Sequence, residues 1–382
     1  MRIMPGAMLG VVGGGQLGRM FVMAAQQMGY PVTVLDPSVD SPAGRIAEHF
    51  ICADYADHSA LKALSMQCAA ITTEFENIPA ESLRLLALSS VVSPDADSVS
   101  IAQNRVSEKQ FLGTNGFAVA PYAIIERRAD LTAQDIVDLL PGILKVSQFG
   151  YDGKGQKSVA NKTELIAAYT ELNHSVCVLE KFMPLVNEIS VVVARSRVGE
   201  LKTFPVSENQ HVNGILDASI GPARISAALA EQAQSMASQV AEKLNYQGVL
   251  CVEFFVLNND KLLINEIAPR PHNSGHYTIN ACVTSQFEQQ VRALCGMTLG
   301  ETTQHSAAVM INLLGDLWQN GKPDWNLILQ HPSTKLHLYG KTEARPGRKM
   351  GHYTVLSTDT ETALREAIAI KKQLEQNLIR NP

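Results

Sequence analysis

Two glutamates stand on either side of a turn signal in "GVLCVEFFVLNNDKLLINEIAPRPHNSGHYT". If Asn258 to Lys261 form a four-residue loop, Leu257 pairs with Leu262, and counting back along both strands brings Glu253 opposite Glu266. Like charges facing each other across a strand pair repel, so the arrangement makes sense when a divalent cation sits between them. Carboxylate oxygens, with the amide oxygen of Asn265 beside them, are hard ligands that select magnesium or calcium rather than zinc. Two solvated glutamates on an open face are the alternative. Val252, Phe254, Phe255, Ile264 and Ile267 argue instead that both strands are buried.

Directly after the second glutamate, "PRPHNSGH" offers Arg270, His272, Asn273 and Ser274 on a turn stiffened by two prolines, which reads as an anion site rather than a purely structural loop. A second polar loop, "LKVSQFGYDGKGQKS", places Gly150, Gly153 and Gly155 among charged residues after a short apolar run that carries Lys145. It is not a P-loop, because it lacks the Gly-x-x-x-x-Gly-Lys-Ser/Thr spacing that opens a helix. Further along, "YGKTEARPGRKMGHYT" gathers Lys341, Arg345, Arg348 and Lys349 around Pro346 and Gly347, either a solvated basic turn or a phosphate site. Near the start, "VVGGGQLGRM" has Gly13, Gly15 and Gly18 between a strand and a helix, with Asp36 ending the next strand. That is the layout of a dinucleotide fingerprint, but a glycine turn also serves other anions or close strand-helix packing. An NAD-dependent oxidoreductase would account for little beyond that turn and Asp36, since no hydride-transfer site reads out downstream.

These residues need elements to hold them. The 382 residues exceed what one core usually supports, so two or three domains are expected. Up to about Val92, runs such as "MLGVV", "VTVLD" and "AAITT" alternate with helical periodicity, which argues a doubly wound parallel sheet. "SPDADS" reads as a turn cluster, and a boundary is placed near residue 100. Beyond it, "GILKVS", "SVCVLE", "EISVVVAR" and "GVLCVEFFVL" read as strands of antiparallel ribbons, with a helix from Ala223 to Asn245. After Leu299, "AAVMINLLGD", "KLHLYG" and "YTVLS" read as strands and "TETALREAIAIKKQLEQ" as a closing helix. A net charge of −5 argues against nucleic acid or an anionic membrane as partner. The six cysteines are scattered singly, and no apolar run approaches a membrane span, so reduced thiols and a cytoplasmic setting are expected.

Taken together, these segments resemble the ATP-grasp superfamily. "GGGQLGRM", "TEFENIP", "GYDGKGQ", "EKFMPLVNEISVVVAR", "NQHVNGILDASIGPARIS", "NEIAPRPHNSGHYT" and "LHLYGKTEARPGRKMGH" are similar, in order and across nearly the whole chain, to the 5-(carboxyamino)imidazole ribonucleotide synthases of purine biosynthesis. The resemblance implies a three-domain ATP-grasp architecture of mixed α/β and α+β class: 1–100 Rossmann-like, 101–299 ATP-grasp, and 300–382 a small β-rich domain. It implies a homodimer that uses ATP and bicarbonate to carboxylate aminoimidazole ribonucleotide. A ligase of the same superfamily with another ribonucleotide acceptor is the rival.

By the same resemblance, ATP would be held by Arg105, Lys145, a flap of Gly150, Tyr151, Asp152, Gly153, Lys154, Gly155 and Gln156, then Glu180, Lys181, Phe182, Met183, Glu188, His211, Asn265 and Glu266. Magnesium, or manganese, would sit on Glu253 and Glu266. The acceptor would meet Gln16, Leu17, Glu76, Tyr151, Asp152, Arg270, His272, Asn273, Ser274, Lys341 and Arg348. Arg270 would stabilise carboxyphosphate, and His272 would act as base toward the amine, with Tyr151 and Asp152 completing the catalytic set.

Overall fold

The computed structural model describes residues 2–148, 150 and 155–380, and the strands among them form three sheets. The first is five-stranded and parallel, in the order His49–Cys52, Val32–Asp36, Leu9–Val12, Ala70–Thr73, Val91–Val92. Its central strands are buried along their whole length and mostly apolar, because both faces are covered. Val11 and Val34 pack with helix Gln16–Gln27 and with Phe287 and Val291 of helix Gln286–Leu294, while Val12, Leu35 and Ile71 pack with Leu61, Leu64, Leu83 and Leu86. The strand order reverses between Leu9–Val12 and Ala70–Thr73, which opens a crevice at their carboxyl ends. The Gly13–Gly15 turn and Glu74–Glu76 lie there.

"SPDADS" starts a helix rather than a turn. Asp95 caps Ala96–Gln103 by accepting from the amides of Asp97 and Ser98, so residue 100 falls inside a helix. The next helix, Arg105–Thr114, is capped by Asn104. The helix expected from Ala223 spans Ala227–Lys243, because Ser226 caps it and accepts from the Leu229 amide.

A four-stranded antiparallel sheet follows, ordered Tyr122–Ile125, Cys177–Lys181, Gly142–Val146, Gln156–Val159. The third sheet is nine-stranded. It runs Leu262–Ala268, Gly248–Leu257, Leu185–Arg195, Ser207–Val212, Ile215–Gly221, Ala307–Leu314, Lys349–Ser357, Thr334–Leu338, with Leu201–Thr203 paired to Leu185–Arg195. One face of its first strands buries Ile189, Val191, Val252 and Phe254 against helix Ala227–Lys243, where Ala233 and Ala237 allow close approach.

The sheet is continuous across residue 299, since Ala218 pairs with Ile311 and Ile220 with Val309. Helix Thr360–Arg380 covers this end through Ala363, Ala367 and Ile370, and Lys371 bonds the Asp217 carboxylate at 2.6 and 2.7 Å. Among the described residues, no helix is long and apolar enough to cross a membrane. Cutting the chain after residue 300 would leave Ile215–Gly221 as an unpaired apolar edge, which invites aggregation. The truncated protein is expected to be insoluble or to lose cooperative unfolding; a monodisperse truncation that melts like the full chain would contradict the shared sheet.

Candidate active site

The three sheets converge on one cleft, and its floor is the carboxylate pair. Glu253 does face Glu266, but by a different register from the one counted off the sequence. Val256 pairs with Leu262 and Phe254 with Ile264, and a bulge at Asn265 then restores Glu253 opposite Glu266. The reason is the tight turn, in which the Leu257 amide donates to Lys261 O at 2.9 Å. A bulge places an extra residue outside the ladder and re-aims its side chain. Asn265 Oδ1 is buried with no hydrogen-bond partner among the described residues. Burial first, and then the charge of Glu266, holds the Glu253 carboxyl above the usual carboxylate range.

Helix Arg105–Thr114 supplies charges to this floor from one face, as i, i+3 and i+4 spacing dictates. Arg105 Nη1 donates to Glu266 Oε2 at 3.1 Å, Lys109 Nζ donates to Asn265 O at 3.0 Å, and Glu108 Oε1 accepts from the Ile267 amide at 2.5 Å. From the four-stranded sheet, Lys145 Nζ donates to Glu180 Oε2 at 3.0 Å, and Lys109 lies 3.5 Å from Glu180 Oε1. Burial would raise the Glu180 carboxyl, but Lys145 and Lys109 outweigh it and hold it below the usual range. Glu188 Oε2 stands 3.4 Å from His211 Nδ1. Burial opposes a charged imidazole there, yet Glu188 and Glu253 together push the His211 pKa up.

At the other end, Arg270 donates through Nε to Glu76 and through Nη1 to Pro271 O at 3.2 Å. Burial disfavours both charges, but each stabilises the other, so the Glu76 carboxyl is held down and the Arg270 guanidinium stays charged. Lys341 Nζ donates to Lys349 O at 2.7 Å and lies 5.6 Å from the centre of the Tyr339 ring. Arg348 Nη1 donates to Glu343 O at 2.7 Å.

The glycine turn holds an anion already, and it is the protein's own. The amides of Gly15 and Gly18 donate to Glu74 Oε1 and Oε2 at 2.8 and 2.9 Å, and the Gly14 amide donates to Asp36 Oδ2 at 2.7 Å. A Cβ at Gly15 would come within 2.6 Å of Glu74 Oε1. Glycine is therefore required by this internal carboxylate at a helix N-terminus, and the oxidoreductase alternative loses the turn that suggested it.

Gln16, Leu17, Glu76, Arg105, Lys145, Gly150, Gln156, Glu188, His211, Glu253, Asn265, Glu266, Arg270, His272, Asn273, Lys341 and Arg348 all line the cleft. Glu180 is buried behind it with its carboxylate turned to the lysines, Lys181 and Phe182 are exposed, and Met183 packs beside Leu257 and Leu263. Tyr151, Asp152, Gly153 and Lys154 lie outside the described residues.

Two expectations need correction. Ser274 is fully buried, with its hydroxyl 2.9 Å from His272 Nδ1 and 2.7 Å from Ser190 Oγ, so its side chain does not meet an acceptor in the cleft. His272 has Nδ1 facing the Ser274 amide and Nε2 3.0 Å from Glu253 Oε1, which leaves no ring lone pair for a base toward the amine. Burial first, then Arg270 and Lys349, lowers its pKa well below the ordinary value.

Sequence reasoning passed over three charged residues and named a fourth, Lys349, without assigning it a ligand. Glu108 and Lys109 were findable from helical spacing after Arg105. Glu74 was findable as the first acidic residue after the strand Ala70–Thr73, two before Glu76. Lys349 was inside the basic run, and it lines the cleft and lies close enough to depress His272 and His276.

Comparisons with known proteins agree along the whole chain. Residues 7–103 match the ribonucleotide synthetase preATP-grasp domain, 110–287 the ATP-grasp domain and 308–366 the phosphoribosylaminoimidazole carboxylase C-terminal domain. The N5-carboxyaminoimidazole ribonucleotide synthase of Bacillus subtilis (strain 168) is 43% identical over 365 residues, 95% of each chain. The chain belongs to the N5-carboxyaminoimidazole ribonucleotide synthase family. The enzyme of that name from Brucella melitensis is also 43% identical, over 93% of this chain and 98% of its own. An ADP complex of N5-carboxyaminoimidazole ribonucleotide synthetase has a TM-score of 0.93 at 41% identity, covering 98% of both chains. The Aspergillus clavatus synthase, solved with ADP and 5-aminoimidazole ribonucleotide, has a TM-score of 0.88 at 29% identity, covering 97% of this chain and 99% of its own. As a family member the chain is an ATP-grasp ligase, with the preATP-grasp, ATP-grasp and C-terminal parts of that architecture.

Glu108 offers a test of these electrostatics. Burial, partly offset by Lys109 and Arg105, moves its carboxyl from 4.5 to about 7. The folded protein therefore holds an extra proton between those values, so stability contributed by Glu108 is greatest below pH 4.5 and falls as pH rises toward 7. Glu108→Gln is expected to be more stable than wild type at pH 8 by on the order of 3 kcal/mol and nearly equal to it at pH 4.5. Urea unfolding at both values checks this; the same difference at each would show that Glu108 titrates normally.

Proposed function

We propose that this chain uses ATP to carboxylate 5-aminoimidazole ribonucleotide, with bicarbonate as the carboxyl source, giving 5-(carboxyamino)imidazole ribonucleotide, ADP and phosphate. The observation that carries the reading is one continuous cleft joining the carboxylate pair and Lys145 to the Glu76–Arg270 pair and the Lys341–Lys349 turn, in a chain similar to these synthases over nearly all of its length. Bicarbonate oxygen attacks the γ-phosphorus and ADP leaves; the amine nitrogen then attacks the carboxyl carbon of carboxyphosphate, loses a proton, and phosphate leaves.

The oxygen set fits a hard cation. Glu253, Glu266 and the unpartnered Asn265 Oδ1 come together, and burial first, then the charge of Glu266, raises the Glu253 carboxyl, a cost that a cation would relieve. Among the described residues, no three acidic, histidine or cysteine side chains suffice to hold a metal alone, so nucleotide phosphates would complete its shell. Magnesium, or manganese, would offset charge on the transferring phosphoryl group.

Arg105, Lys145, Gly150, Gly155, Gln156, Glu188, His211, Asn265 and Glu266 form the proposed ATP site. Glu180 serves it by fixing the two lysines, and Lys181 at the end of its strand, with Phe182 and Met183 following, would meet the base. Tyr151, Asp152, Gly153 and Lys154 belong to the proposed flap, which would exclude water from a labile intermediate. Gln16, Leu17, Glu76, Arg270, His272, Asn273, Lys341 and Arg348 form the proposed acceptor end, with Lys349 added. Arg270 stands where it can meet a carboxyphosphate anion while Glu76 fixes its orientation. Three domains meeting near residues 100 and 299, and a cytoplasmic homodimer, complete the reading; light scattering tests the dimer.

Purified protein with magnesium, ATP and bicarbonate is expected to release ADP faster on adding aminoimidazole ribonucleotide. Equal stimulation by glycinamide ribonucleotide with formate would sink the acceptor assignment. Lys341→Ala and Arg348→Ala are each expected to weaken acceptor binding about ten- to a hundredfold, because a bond to a charged group contributes roughly 1.5 to 3 kcal/mol. ATP-analogue affinity should barely move. Calorimetric titration with each ligand separates the two sites, and collapse of analogue binding alone would place these residues with ATP.

A further inference from the structure

Behind the carboxylate pair, buried polar side chains form a hydrogen-bonded chain whose direction is set at both ends. The Ser274 amide donates to His272 Nδ1 at 3.3 Å, so that nitrogen carries no proton. The neutral ring then carries its proton on Nε2, which stands 3.0 Å from Glu253 Oε1. Ser274 Oγ, 2.9 Å from the same Nδ1, donates to it and is left to accept from Ser190 Oγ at 2.7 Å.

At the far end, Asn209 Nδ2 can only donate, and it reaches Ser190 Oγ at 2.9 Å, while Asn209 Oδ1 accepts from Ser219 Oγ at 3.2 Å. Ser207 Oγ, 2.9 Å away, fills the remaining lone pair of Ser190. The single Ser190 proton is thus committed to Ser274. Adjacent strands impose the arrangement, because Ser190 pairs with Glu253 on one side and Ser207 on the other, and Asn209 pairs with Ser219. Ser190, Ser207, Asn209 and Ser219 are buried, and none of them lines the cleft.

We infer that Asn209 and Ser190 are positioning residues for the carboxylation reaction: through Ser274 they hold His272 as its Nε2–H tautomer, so that it donates to Glu253 and orients that carboxylate. The inference rests on the reading of Glu253 as a ligand of the nucleotide's cation. A polar chain satisfied at every member specifies one arrangement, and partners behind a metal ligand commonly set its orientation and basicity.

The test uses metal-free full-length protein labelled with 15N-histidine, with the His272 signals assigned by their loss in His272→Gln. Wild type at pH 8 is expected to show only the Nε2–H form. Asn209→Asp keeps the side-chain shape but can only accept; it draws the Ser190 proton, then that of Ser274, and the Nδ1–H form should appear. Ser190→Ala removes the donor to Ser274 and frees its hydroxyl to accept as well as donate, so the Nδ1–H form should appear as a smaller fraction, whereas Ser190→Thr keeps the hydroxyl and should restore wild-type behaviour. In turnover, Asn209→Asp and Ser190→Ala should lower kcat by roughly tenfold or more with little change in KM for ATP.

An Nδ1–H form in wild type, or an unshifted tautomer with wild-type kcat in the folded variants, overturns the inference. Should Asn209→Asp not fold, Ser190→Ala decides. The tautomer is read without substrates, so a wild-type protein that fails to carboxylate aminoimidazole ribonucleotide would overturn the proposed reaction by a separate result.

Discussion

Two carboxylates held side by side in a buried sheet set the terms for everything around them. Burying one ionised carboxylate, Glu253, is costly, and the half-buried Glu266 beside it adds their repulsion. The chain meets this cost with donors on every side: Arg105 on Glu266, His272 on Glu253, and Lys109 on the carbonyl of the bulged residue between them. These partners come from one helix distant in sequence and from the turn that follows Glu266. The site therefore exists only once the first helix after residue 103 has docked on the large sheet.

The same logic of paired charge runs through the cleft. Glu180 joins two lysines behind the site, Glu76 joins Arg270 at the opposite end, and Glu74 fills the helix N-terminus that the glycine turn exposes. Arg105, Lys145, Arg270, Lys341 and Arg348 each have a fixed position, because a carboxylate or carbonyl holds them there. Preorganised charge of this kind needs no reorganisation when negative charge develops on a ligand. It also explains why a turn with dinucleotide spacing sits in a protein of another class: its amides are spent on an internal carboxylate.

The continuous sheet gives these groups a common frame. Strands on either side of residue 299 share one hydrogen-bonded ladder, so Lys341 and Lys349 are positioned against the carboxylate pair by sheet pairing rather than by a flexible linker. Polar residues on this sheet occupy positions where apolar ones would pack more simply. Their retention is intelligible as a way to fix orientation, since each buried group must find a partner in one arrangement only.

Much of this was determined by sequence alone. Alternating apolar runs specified the parallel sheet, the glycine and proline turns marked the loops, and the residues that line the cleft could be picked out by charge type beside buried strands. The Glu253–Glu266 pairing was legible because both residues lie on strands joined by a short turn. Its register was not, because the turn hydrogen bond that shifts it is a choice among several short turns, and what the bulged Asn265 meets, Lys109, comes from a helix distant in sequence. Tertiary structure alone decided that Ser274 points inward, that both ring nitrogens of His272 are engaged, one by Ser274 and one by Glu253, and that Glu74 occupies the glycine turn. In each case the deciding partner is a hydrogen-bonding group brought in from elsewhere in the fold, and residue type states which bonds a side chain can make but not which neighbour will be there to make them.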